Sequence, residues 1–149
     1  MRMSLVTLLG IALGYWEAIV VVYLRRILPP LPWSVASVAE FSNLLRSHRV
    51  LFLEQTREVS TIVVLLAVAL LIGRKRLEKL AVFLWVFATW DIFYYIWLKV
   101  LIGWPPSLAT IDCLFLIPGP WFAPVFVPIL VSLVMMGGAI FLLREAKKD

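Results

Sequence analysis

Residues 61–76 read TIVVLLAVALLIGRKR: an unbroken apolar run from Ile62 to Ile72, closed by Gly73 and then by Arg74, Lys75 and Arg76. Such a run has no polar face to offer water, and the cations behind it suit a head-group boundary. A second run, Leu77 to Ile102, starts directly after these cations. The pair therefore predicts two membrane-crossing helices joined by a tight basic turn. Composition agrees: the 149 residues are 63% hydrophobic with mean hydropathy +1.00, well beyond a water-soluble domain.

Working outward, the sequence predicts an all-α integral membrane protein, one helical bundle over residues 1–149 with four transmembrane helices. The spans are expected at about residues 3–28, 54–73, 77–102 and 121–143. The first resembles a signal-peptide core, but it continues through Tyr15-Trp16-Glu17 without a small-residue cleavage site and reads as a retained span. It stops at Pro29-Pro30-Leu31-Pro32. From Val38 to about Phe52, apolar Val38, Phe41, Leu44 and Leu45 alternate with Glu40, Asn43, Arg46 and Arg49, which predicts an amphipathic extension running into span two. Ser107 to Leu116, between Pro105-Pro106 and Pro118-Gly119-Pro120, is too short to cross and is expected as a re-entrant or interfacial helix before span four. Gly10-x-x-x-Gly14 predicts a close helix–helix approach, and Met135-Met136-Gly137-Gly138 is also expected at a helix contact.

The basic residues set the expected orientation. Arg2, Arg74, Lys75, Arg76, Lys79, Arg144, Lys147 and Lys148 fall on one side; Arg25, Arg26, Arg46, Arg49, Arg57 and Lys99 fall on the other. The excess predicts a multi-pass protein of the cell membrane with both termini in the cytoplasm. The net charge of +5 sits at helix ends, so it speaks for lipid head groups as partners and against nucleic acid.

Four acids interrupt the apolar spans: Glu17, Glu54, Glu58 and Asp91. A carboxylate costs roughly 2.5–3.5 kcal/mol at the centre of a membrane helix, so these four mark the candidate site. Glu54, Arg57 and Glu58 share one flank of span two by their i,i+3 and i,i+4 spacing. Gly10, Gly14 and Glu17 share a stripe of span one, and Asp91 shares a face with Tyr94 and Tyr95, so a phenol is placed to bond its carboxylate. Four carboxylates and Arg57 sum to about −3, which low-dielectric surroundings do not tolerate uncompensated. Protons, metal ions, or Arg25, Arg26, Arg49 and Lys99 reaching inward are three solutions.

The expected function is the binding or relay of a cation, a proton or a metal, by this carboxylate cluster. Glu17, Glu58 and Asp91 would be ligands or proton carriers, Glu54 an access group, Arg57 the charge partner and Tyr94 an orienting donor. A divalent metal would need hard, oxygen-only ligation by Glu17, Glu58 and Asp91. Heme is disfavoured because His48 is the single histidine. The single Cys113 excludes an internal disulfide. Two other classes stay open: a non-catalytic helical subunit docking other membrane subunits or its own copy, and an enzyme acting on a lipid or quinone. No Gly-rich phosphate loop or Ser/His/Asp set is present to name a reaction.

Overall fold

The structure, a computed structural model, describes residues 3–27, 43, 46–47 and 50–148. Most of the expected amphipathic extension, and His48, therefore lie outside the described residues. Four long helices dominate: α1 (Met3–Ile27), α2 (Leu51–Ile72), α3 (Arg76–Ile102) and α4 (Phe126–Glu145). All four are long and apolar enough to cross a membrane. Even α4, with 20 residues, reaches about 30 Å.

The expected helix over residues 107–116 is not formed. Ile111–Phe115 is a strand, β1, paired antiparallel with β2 (Trp121–Pro124). Ten residues between proline pairs are too few to sustain a helix alone. Ile111, Phe115, Trp121 and Phe122 favour extended backbone, and Pro118-Gly119-Pro120 supplies the bend between them. Span four is corrected with it: residues 121–124 belong to β2, and the helix begins at Phe126. Pro128 then falls in the first turn, where a missing amide costs least.

α3 is the central helix and packs against each of the other three. α1 lies alongside it in the same direction: Trp85 Nε1 donates to Thr7 Oγ1 at 2.9 Å, and Trp97 Nε1 to the Ile11 carbonyl at 3.2 Å. The approach is as close as the glycine pair predicts. A Cβ at Gly10 would lie 2.8 Å from Thr89 Cβ, and one at Gly14 would lie 2.8 Å from the Trp90 carbonyl. Gly137, by contrast, has nothing within 4 Å of a built Cβ, so that part of the Met-Gly stretch makes no close helix contact. α2 and α4 run opposite to α3, α2 leading into the turn at Gly73 and α4 with Gly138 beside Leu84. The turn is fixed by Glu78, which accepts the Arg74 amide at 2.8 Å. Lys75 Nζ donates to the Ala146 carbonyl at 3.0 Å, so this turn and the end of α4 share one end of the bundle with Met3.

Two apolar clusters lie along α3. Val6, Leu65, Ala69, Val82, Val86 and Trp90 form the one nearer that end. Ala18, Val22, Tyr95, Leu98, Trp104 and Val125 form the other, which among the described residues contains none of α2. The first half of α2 is thus held by something other than apolar packing. Outward-facing side chains are apolar, Leu71 at 85% exposure among them, as a lipid-facing surface requires.

The hairpin fills the far half of the bundle. Its base is tied to the loop before it, with Val125 N donating to Thr110 O at 2.9 Å. Phe115, at its tip, stacks on Phe87 with centroids 6.3 Å apart. Phe87 lies fifteen residues before the end of α3 at Ile102, about 22 Å along the axis. Non-helical backbone therefore folds back to the middle of the helical layer.

Candidate functional site

The first half of α2 is joined to α1 by charge. Arg57 Nε donates to Glu54 Oε2 at 2.8 Å, and its Nη1 donates to Glu17 Oε2 at 2.5 Å. The guanidinium thus bridges two helices that each pack on α3 but not closely on each other. The geometry follows from the sequence. The i,i+3 spacing puts Glu54 and Arg57 on one flank of α2, and the glycine face of α1 sets that helix close on α3 with Glu17 turned toward α2. Glu54 is 8% exposed, so its carboxylate is largely shielded from solvent while Arg57 stays partly solvated.

Glu58 does not bond Arg57. Both of its oxygens accept the Leu116 amide, at 2.9 and 3.1 Å, and one turn earlier Gln55 Nε2 donates to the Leu116 carbonyl at 2.9 Å. Backbone carried to this depth has little water to bond, so its polar groups must find protein partners. α2 supplies both for Leu116, which docks the hairpin tip against the carboxylate group.

Asp91 stands apart. It accepts a 2.7 Å hydrogen bond from Ser132 Oγ of α4, and Ser132 is 1% exposed. The structure therefore gathers Glu17, Glu54, Glu58 and Arg57 but turns Asp91 toward α4. Among the described residues, no three His, Cys, Asp or Glu side chains are placed to share a metal ion, so Glu17, Glu58 and Asp91 are not gathered as a ligand set. The reason is local: each carboxylate has a nearer donor, in Arg57, the Leu116 amide and Ser132 respectively. The phenol that meets a carboxylate is Tyr95, not Tyr94, and its acceptor is Asp112, at 3.0 Å. Tyr94 packs edge-on against the Tyr95 ring, centroids 4.8 Å apart.

Asp112 joins this region from β1. Burial pushes its carboxyl up to about 6, against the opposing pull of the Tyr95 hydrogen bond and the Arg25 charge. Arg25 lies over the Trp104 ring, 4.1 Å from its centroid, and Trp104 in turn stacks on Tyr95. Cys113, next along β1, is half-buried, and burial raises its thiol to about 12, with Asp112 and Glu58 adding to the shift. Lys99 bonds the Gly103 and Pro105 carbonyls at 3.2 and 2.9 Å, closing the end of α3.

Gln55, Ser132 and the Leu116 backbone are not among the sequence candidates. The i,i+3 pair of Gln55 with Glu58 on an otherwise apolar helix is the available signal for the first. Ser132 within the uncharged span four is the signal for the second. Three carboxylates around one guanidinium leave the group at about −2 when fully ionised, against the −3 expected with Asp91 included. Compared with known protein families, curated proteins and solved structures, the chain has no significant match, so these residues are the ground on which its function is argued.

Proposed function

We propose that the chain is a small multi-pass protein of the cell membrane in which the Glu17–Arg57–Glu54–Glu58 group carries a cation, and that the cation is a proton. The supporting observation is the single guanidinium shared by Glu17 and Glu54 with Glu58 beside it, at helix-buried depth. An excess of carboxylate over counter-charge in low dielectric is balanced by one or two bound protons. Arg57 and the Leu116 amide hold the three carboxylates in place without giving up protons of their own, so the bound proton is carried by the carboxylates themselves. The separation of Asp91 from Glu17 and Glu58 favours a proton over a divalent ion, which would need those ligands on one centre. Glu17 and Glu58 are the carriers, Glu54 the access group and Arg57 the charge partner. Asp91 with Ser132 is a separate station.

Purified protein in liposomes, with an imposed pH gradient and a trapped pH-sensitive dye, tests this. Wild-type protein should dissipate the gradient. Glu17→Gln and Glu58→Gln should stay folded and lose about tenfold or more of the flux, as expected when a proton carrier is removed. Folded variants with unchanged flux, or wild-type protein with none, would overturn the reading.

A further inference from the structure

We propose that the β1–β2 hairpin is a latch over the carboxylate group, held closed by ionised Glu58 and loosened when Glu58 takes up a proton. This rests on the proton reading of the site, and it concerns how that site is regulated.

Among the described residues, the hydrogen bonds between the hairpin tip and α2 all run through one residue. Leu116 gives its amide to both oxygens of Glu58 and its carbonyl to Gln55. Bonding to both oxygens suits a carboxylate. A protonated acid keeps one full acceptor and turns its hydroxyl into a donor facing a donor, so the bond loses its charge-assisted strength. The aromatic contacts of the tip, Phe115 against Phe87 and Trp90, carry no charge dependence. Among the three glutamates of the group, Glu58 is the one whose hydrogen-bond partner is backbone of the hairpin rather than Arg57. The charged or titratable groups facing it are Glu17 from α1, Glu54 and Arg57 from α2, and Cys113 from the hairpin. The first half of α2 has no place in the far apolar cluster, so loosening Leu116 would open the space between α1, α2 and the hairpin, with Phe115 still packed on the near cluster.

The chain carries its own reporter. Cys113 is the single cysteine and sits half-buried in β1. Its labelling by a small membrane-permeant thiol reagent, in the full-length protein in liposomes, reads hairpin opening. Glu58 itself helps to raise the Cys113 thiol, so each rate is divided by the thiolate fraction measured for that variant by ultraviolet titration, and the corrected rate reads hairpin opening. At pH about 8, Glu58→Gln should label about fivefold faster, the ratio between a charge-assisted and a neutral hydrogen bond. As pH is lowered, the two rates should converge as wild-type Glu58 takes its proton. Gln55→Leu, which removes the other half of the contact, should label faster at every pH. Equal rates for wild type and Glu58→Gln throughout, or a constant ratio that never converges, would overturn the latch. The flux assay separates the two ideas: proton flux without a pH-dependent labelling ratio removes the latch alone, and a pH-dependent ratio without flux removes the transport reading alone.

Discussion

Arg57 is the residue on which the site's electrostatics turn. It holds Glu17 of one helix and Glu54 of its own, and its side chain is 25% exposed. Removing one partner of a buried ion pair costs about 3–5 kcal/mol; partial solvation of this one lowers the expectation to about 2 kcal/mol for Arg57→Gln. Equilibrium unfolding in mixed micelles would measure it. The double variant Arg57→Gln with Glu17→Gln should recover part of the loss, because the stranded carboxylate goes with its partner. A coupling of about 1 kcal/mol in the double-mutant cycle is expected, and strict additivity would mean the bridge does not form. Asp112 poses the opposite problem, since burial of its carboxyl outweighs the help of Tyr95 and Arg25. Its value rises from 3.8 to about 6 on folding, so the folded protein binds this proton more tightly than the unfolded chain does. The stability it contributes is therefore largest below about pH 4, declines as pH rises toward 6, and is level above that. Amide exchange in β1, compared between wild type and Asp112→Asn, should show this slope in the former and its loss in the latter.

Among the elements, α1 and α3 meet through glycine, and the contact is with backbone. A methyl at Gly14 would lie 2.8 Å from the Trp90 carbonyl and 2.9 Å from the Tyr94 amide, neither of which can swing aside. Gly14→Ala should cost about 1–3 kcal/mol, the range for forcing atoms into a filled contact, and should shift Glu17 away from Arg57. Gly137→Ala meets nothing within 4 Å and should be neutral or slightly stabilising, so the two variants compared by thermal unfolding isolate the packing effect. These elements also show what a sequence can reveal. The four spans are legible because each is a long apolar run with a breaker behind it, as at Gly73 or Gly103. Glu17 facing Arg57 is legible from the stripe it shares with Gly10 and Gly14. The hairpin is not, because a short apolar run between prolines has no periodicity that separates strand from helix. Asp91 is misplaced by sequence for a related reason. Helical spacing says which residues share a face, but not whether that face turns to α1 and α2 or to Ser132 on α4. The Glu58–Leu116 bond is illegible in principle, since its donor is a backbone amide 58 residues away that carries no side-chain signature.

At the scale of the whole molecule, charge is sorted by end. Met3, the turn at Gly73 and the close of α4 lie together, and with them Arg74, Lys75, Arg76, Lys79, Arg144, Lys147 and Lys148. The cations toward the opposite end are differently employed. Arg57 is taken by two glutamates, Lys99 by the Gly103 and Pro105 carbonyls, and Arg25 lies over Trp104. Lys75 and Lys148 of the basic end are also held, by the Ala146 carbonyl and by Glu145, so counting contacts leaves the excess in the direction read from sequence. The basic end should face the cytoplasm, which would put the hairpin and the carboxylate group in the outer half of the bilayer. A C-terminal reporter active only in the cytoplasm should therefore be active on the wild-type protein. Replacing Arg74, Lys75, Arg76 and Lys79 together by Gln should send a measurable fraction of molecules in the opposite orientation, whereas replacing Arg25 and Lys99 should not. An inactive C-terminal reporter on the wild-type protein would reverse the assignment, and with it the side from which protons reach Glu54.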